Sequence, residues 1–266
     1  MKWLIENNTI SALDFNGSNL IFPWGIEFAD SSSFYSLQEG IGLRYREFEK
    51  SIHFDQRSYR MDTRIEMCEG KWQLQLDDKI IDDQTILRSA VATCLEDAYL
   101  MDFVLRFRFN NQYFQRGTIA GRSYTHQNTN VYYQFPTDSV SLDGEKYAVG
   151  IKLLDYQSPM NFSPYLYLRD HFDEWVVHAR LLPDLPEKTV IKLCNPWYDT
   201  KPLPQAVSNA LLRIPGLKNA LMYRCERKPY RGKIMRRINP QAIPIGRVEA
   251  GTKLSWKVQM KVRHAS

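Results

Sequence analysis

Asp102-Phe103-Val104-Leu105-Arg106-Phe107-Arg108-Phe109 is the stretch on which the reading of the fold turns. Successive side chains of a β-strand point to opposite faces. Phe103, Leu105, Phe107 and Phe109 therefore share one side, and Val104, Arg106 and Arg108 the other. Four large apolar groups in register need a hydrophobic interior. The arginines behind them need water, an acidic companion or a ligand.

The same alternation continues outward. Residues 175–182 put Trp175, Val177, Ala179 and Leu181 opposite Val176, His178, Arg180 and Leu182, and Pro183 stops the run. Residues 57–67 and 71–77 alternate as well, and Glu69-Gly70 between them predicts a β-hairpin. Shorter candidates are 130–135, 147–154, 189–193 and 253–262, separated by turn signals such as Asp143-Gly144, Ser158-Pro159 and Asn195-Pro196. The chain has 15 Tyr, 13 Phe and 6 Trp, rings that suit a pleated surface. The expected fold is mainly β: a large antiparallel β-sandwich of jelly-roll type with one or two short helices and a basic carboxy-terminal extension. Two stretches carry helical spacing. Residues 83–98 have Asp83 as an N-cap and Ile86, Leu87, Ala90, Val91, Cys94 and Leu95 on a stripe. Residues 204–213 put Ala206, Val207, Ala210 and Leu211 on one stripe, closed by Pro215-Gly216, with a short helix expected to continue over 217–223.

Charge is unevenly spread. The last 66 residues hold 15 of the 35 basic side chains and 2 of the 30 acidic ones, a net +13 against −8 for the first 200. The Pro-rich joint at 195–204 coincides with that change, so the expected division is a net acidic sandwich over 1–200 and a basic segment over 201–266. Such a segment faces a polyanion, or docks on acidic surface of its own or a neighbouring molecule. Within it, residues 224–237 pack cations around Tyr230, with Arg236 and Arg237 at the end, a pattern that suits phosphates and unpaired bases.

Several chemistries lack their signatures. There is no G-x-S-x-G elbow, Walker A loop or G-x-G-x-x-G, and the five histidines form no metal-ligand spacing. Cys68, Cys94, Cys194 and Cys225 are too scattered for a zinc knuckle or a disulfide framework. Neither a metal nor another cofactor is expected. No apolar run resembles a signal peptide or a membrane span, so the expected location is the cytoplasm and no membrane partner is foreseen.

What remains is cationic pairs on strand faces: Arg44 with Arg46, Arg60 with Arg64, Arg106 with Arg108, and His178 with Arg180. Gathered together and flanked by tyrosines such as Tyr45, Tyr59, Tyr124 and Tyr132, they would hold carboxylate, sulfate or phosphate. Dispersed, they would be a solvated sheet face. The expected function is recognition, and modification if the protein is an enzyme, of an anionic polymer or anionic saccharide. The binding residues would be Arg108, His178 and Arg180. In an eliminating enzyme Tyr124 or His126 would move the proton and Arg106 would neutralise the substrate carboxylate. The alternatives are nucleic-acid binding through Tyr230, Arg236 and Arg237, or a structural subunit docking the basic segment on an acidic neighbour, including another copy of the chain.

Overall fold

Phe103, Leu105, Phe107 and Phe109 are fully buried, and their strand Asp102–Asn110 lies in the middle of a seven-stranded sheet. The computed structural model describes residues 1–37, 42–194, 200–221 and 240–265. The seven strands run in the order Tyr132–Phe135, Phe162–His171, Glu174–Pro183, Asp102–Asn110, Gly25–Ala29, Phe34–Ser36 and Gly42–Leu43. Facing them is a nine-stranded sheet in the order Arg122–Thr125, Arg116–Ile119, Ser139–Asp143, Tyr147–Gln157, Lys253–His264, Thr85–Cys94, Gly70–Ile80, Ser58–Met67 and Arg46–Phe54. Every pairing in the two sheets is antiparallel, apart from isolated bulges in register.

The alternation read from the sequence closes the sandwich. Tyr59, Met61, Ile65, Trp72, Leu74, Leu76, Trp256, Val258 and Met260 point from the larger sheet into the core against the Phe103–Phe109 face. Phe28 and Trp72 meet across it with ring centroids 4.6 Å apart, and Trp256 Nε1 donates to the Phe103 carbonyl at 3.4 Å. Two smaller sheets, one of three strands and one of four, complete the fold.

Residues 83–98 correct the expectation of a helix. Thr85–Cys94 is an internal strand, paired with Gly70–Ile80 on one side and Lys253–His264 on the other. Ile86, Arg88, Ala90, Ala92 and Cys94 are all buried on its core face. Apolar residues at both parities satisfy either periodicity, and two flanking strands that supply a complete ladder settle the choice. The helix expected at 204–213 forms as Gln205–Leu212, followed by a short one at Leu217–Leu221.

Part of the carboxy-terminal charge lies on strands built into the sheets. Lys253–His264 is the centre of the nine-stranded sheet, with Leu254, Trp256, Val258, Met260 and Val262 in the core and Lys253, Lys257, Lys261 and Arg263 exposed. Pro240–Val248 is likewise internal, between Ala98–Leu100 and Lys188–Cys194.

One arginine crosses the core. Arg88, 1% exposed, gives Nε to Asp78 at 2.9 Å and Nη1 to the carbonyl of Arg106 at 2.7 Å. Its guanidinium lies 5.0 Å from the Trp24 ring centroid and 4.9 Å from that of Phe107. The ladder between Asp102–Asn110 and Gly25–Ala29 stops at the Arg106–Gly25 pair, where this bond is made.

Candidate functional site

The face of the seven-stranded sheet turned away from the core is polar, and strand register assembles it in rows. Gln134, Tyr167, His178, Arg106 and Gly25 stand side by side across five strands. One step along, Tyr132, Arg169, Val176 and Arg108 form a second row. On the other flank come Tyr165, Arg180, Val104 and Glu27. These are the side chains whose parity is opposite to that of the core residues on the same strands.

The arginines are gathered, and three of them hold a carboxylate. Arg106 Nη1 lies 2.5 Å from Glu27, and Arg108 Nε lies 2.6 Å from Glu174. Arg180 bonds Asp102 through both Nε and Nη2, and gives Nη1 to Gln134 at 2.9 Å. Arg169 donates Nε to Asn130 at 2.7 Å and lies over the Tyr132 ring. Tyr167 stacks on His178, centroids 4.8 Å apart, and His171 holds the second oxygen of Glu174 at 2.8 Å. Gly25 makes room: a Cβ there would stand 3.0 Å from Arg106 Nη2.

Burial sets the electrostatics. It pushes Asp102 up to about 6 against the pull of Arg180. It works the same way on Glu174, but hydrogen bonds from His171 and Arg108 outweigh it and leave that carboxyl below its usual range. His178 is driven well below the ordinary imidazole range, first by burial and then by Arg180, Arg106, Arg169 and Arg108. Its Nε2 is shut from solvent and has no hydrogen-bond partner among the described residues.

Of the residues singled out in the sequence, Arg106, Arg108, His178 and Arg180 thus meet on one face. Tyr124 and His126 do not join them. Tyr124 sits on the edge strand Arg122–Thr125 of the other sheet and stacks on Tyr133 at 3.7 Å, packed against the core. His126 Nε2 lies 3.2 Å from both Asp170 Oδ1 and the Glu174 carbonyl, with its ring edge-on to Trp175. Asp170 and Trp175 are paired in register and project on the core side, opposite to Arg106. The expected trio of Tyr124, His126 and Arg106 is therefore split between two faces, and His126 serves to pin a loop. Arg60 and Arg64 are elsewhere again, on the solvent face of the larger sheet, near Asp77 and Glu49. Tyr230, Arg236 and Arg237 lie outside the described residues.

Sequence reasoning passed over Tyr165, Tyr167 and Arg169, although their alternation with Leu166 and Leu168 in Phe162–His171 signalled a strand with a polar face. Glu27 and Gln134 carried no such signal, and although Asp102 and Glu174 share the parity of the arginines on their strands, pairing across strands decides which arginine each meets.

Among the described residues, no helix is long and apolar enough to cross a membrane. No family model matches the sequence, and no curated protein matches it. Solved structures do resemble it. A crystal structure of the Slr1438 protein from Synechocystis sp. PCC 6803 aligns at 8% identity and TM-score 0.46, over 97% of this chain and 89% of the other. A putative aldose 1-epimerase from Escherichia coli K12 aligns at 8% identity and TM-score 0.51, over 100% of this chain and 99% of the other. At that identity the second likeness establishes the fold alone, a large antiparallel β-sandwich.

Proposed function

We propose that the polar face of the seven-stranded sheet binds a saccharide. The observation that carries this reading is the close alternation of guanidinium, carboxylate and phenol groups on one partly buried face. Sugar hydroxyls both donate and accept, so they need donors and acceptors interleaved at short spacing. Arg108 and Arg169 supply the first and Glu27 the second where the face is open, while Arg106, Arg180, Asp102, Gln134 and Glu174 are buried and hold them in place. Tyr132 and Tyr165, both half-buried, offer ring surface to the apolar side of a pyranose, while Tyr167 is buried against His178. The fold shared with a putative aldose 1-epimerase supports a carbohydrate ligand.

Charge narrows the ligand. Four guanidiniums stand against three carboxylates, so the face carries little net positive potential, and a densely charged polyanion would gain little from it. A sugar with few charged groups fits better. Titration calorimetry and ligand-observed NMR against hexoses, hexuronates, sugar phosphates and short oligosaccharides test the reading. At least one class should bind, and Tyr165→Ala or Tyr132→Ala should weaken it by about tenfold, roughly 1.4 kcal/mol. Failure of the whole panel to bind, or binding indifferent to both substitutions, overturns the proposal.

A further inference from the structure

His178 occupies the centre of the face. Arg106 stands directly opposite it on one neighbouring strand and Tyr167 on the other. Arg180 is the next same-side residue along its own strand, and Arg108 and Arg169 flank the preceding one, Val176. Directly opposed Cβ atoms lie about 5 Å apart and diagonal neighbours about 7–8 Å, so four guanidiniums surround one imidazole. Glu27, Glu174 and Asp102 hold three of those guanidiniums, and Tyr132, Tyr165, Tyr167 and His171 stand on the same face among the described residues.

Two observations point to a ligand group at this spot. The inaccessible Nε2 of His178 has no partner among the described residues, and a buried polar atom of that kind demands one. Arg108 spends Nε on Glu174, is 23% exposed, and among the described residues gives neither Nη group to an acceptor. Oxygens of a single anion would accept from the Arg108 Nη groups, and also from His178 Nε2 once that nitrogen, bare in the neutral ring, takes up a proton.

Resting on the saccharide reading of this face, we propose that the bound sugar carries one anionic group, a carboxylate or a phosphate, and that this group docks over His178 within the ring of arginines. Docking brings proton uptake. In the empty site burial and the surrounding cations keep the imidazole neutral. An anion in contact cancels that repulsion, so His178 protonates and donates Nε2–H to it. Affinity for an acidic sugar then rises as pH falls, by at most about tenfold per unit for one linked proton. Asp102, pushed up to about 6, also titrates in this range, and a substitution at His178 separates the two.

Calorimetry with glucuronate, glucose 6-phosphate and glucose from pH 8 to 5.5, in two buffers of different protonation enthalpy, is the test. At least one of the two acids should bind tenfold or more tighter than glucose, with net proton uptake approaching one per ligand, and the tighter of them identifies the group. In His178→Gln the preference for the acid over glucose should lose its pH dependence. Arg108→Gln should lower that preference by about tenfold at every pH, which covers the case of an unfolded His178 variant. Glucose binding as tightly as both acids overturns the inference and leaves the saccharide reading standing. So does acid binding without proton uptake, or a pH dependence that survives His178→Gln. If no sugar binds, both fall.

Discussion

At the scale of single residues, His178 and Gly25 carry the sharpest consequences. An unfolded histidine titrates around pH 6.5, while the folded His178 resists protonation until well below that. Between those two limits the unfolded chain holds a proton that the empty folded chain does not, so stability falls as the pH drops below about 6.5. Above it the group contributes nothing to the slope. Asp102 runs the other way: its folded pKa of about 6 exceeds 3.8, so acidification through that window favours the folded state. Replacing His178 by Gln should therefore leave a protein that loses less stability than the wild type between pH 7 and pH 5. Urea midpoints at the two pH values measure it, and equal losses would show that His178 is not held neutral. Gly25 is needed for space. Its Ala variant forces the Arg106 guanidinium aside and disturbs the bond to Glu27, an expected cost of about 1 kcal/mol in denaturant unfolding, comparable to mild overpacking. The arginines themselves were legible in Arg106-Phe107-Arg108 and His178-Ala179-Arg180, because strand parity alone aligns them. Their acidic partners were not, since Glu27 and Arg106 are 79 residues apart.

At the scale of elements, two devices hold the strands that build the face. Arg88 ties the nine-stranded sheet to the Arg106 backbone, and Asp78 neutralises it inside the core. Arg88→Met should cost about 3–5 kcal/mol by stranding a buried carboxylate, and a second change, Asp78→Leu, should restore much of the loss. Thermal unfolding of the single and double variants compares the two. Asp170 accepts the backbone N–H groups of Gln127, Asn128 and Thr129 as well as the Thr129 hydroxyl. Asp170→Ala should cost about 1–3 kcal/mol and speed hydrogen exchange at those three amides, whereas unchanged exchange would show that the loop holds itself. The strand Thr85–Cys94 shows why element type was ambiguous where the overall pattern was not. Ile86, Ala90 and Cys94 fit a helical stripe and a strand face equally well, and only the neighbours at Leu76 and Trp256 decide between them.

At the scale of the whole molecule, the strand Lys253–His264 holds the centre of the larger sheet. Removing residues after Thr200 takes away the central strand Lys253–His264 and leaves Thr85–Cys94 and Tyr147–Gln157 with open edges. Such a truncation should lose cooperative unfolding in circular dichroism. A truncated chain that still melts as a folded sandwich would contradict the central place of that strand. The sequence by itself determined the class of fold, because period-2 alternation commits one face of each strand to a core whatever its neighbours are. It also determined that Arg106, Arg108, His178 and Arg180 lie on the reverse of such faces. Only the tertiary structure decided which faces meet: register placed those four together, set Tyr124 and His126 on the other side, and brought distant carboxylates to the arginines. Alternation is a local property of the backbone, whereas strand order and register follow from how the whole core packs.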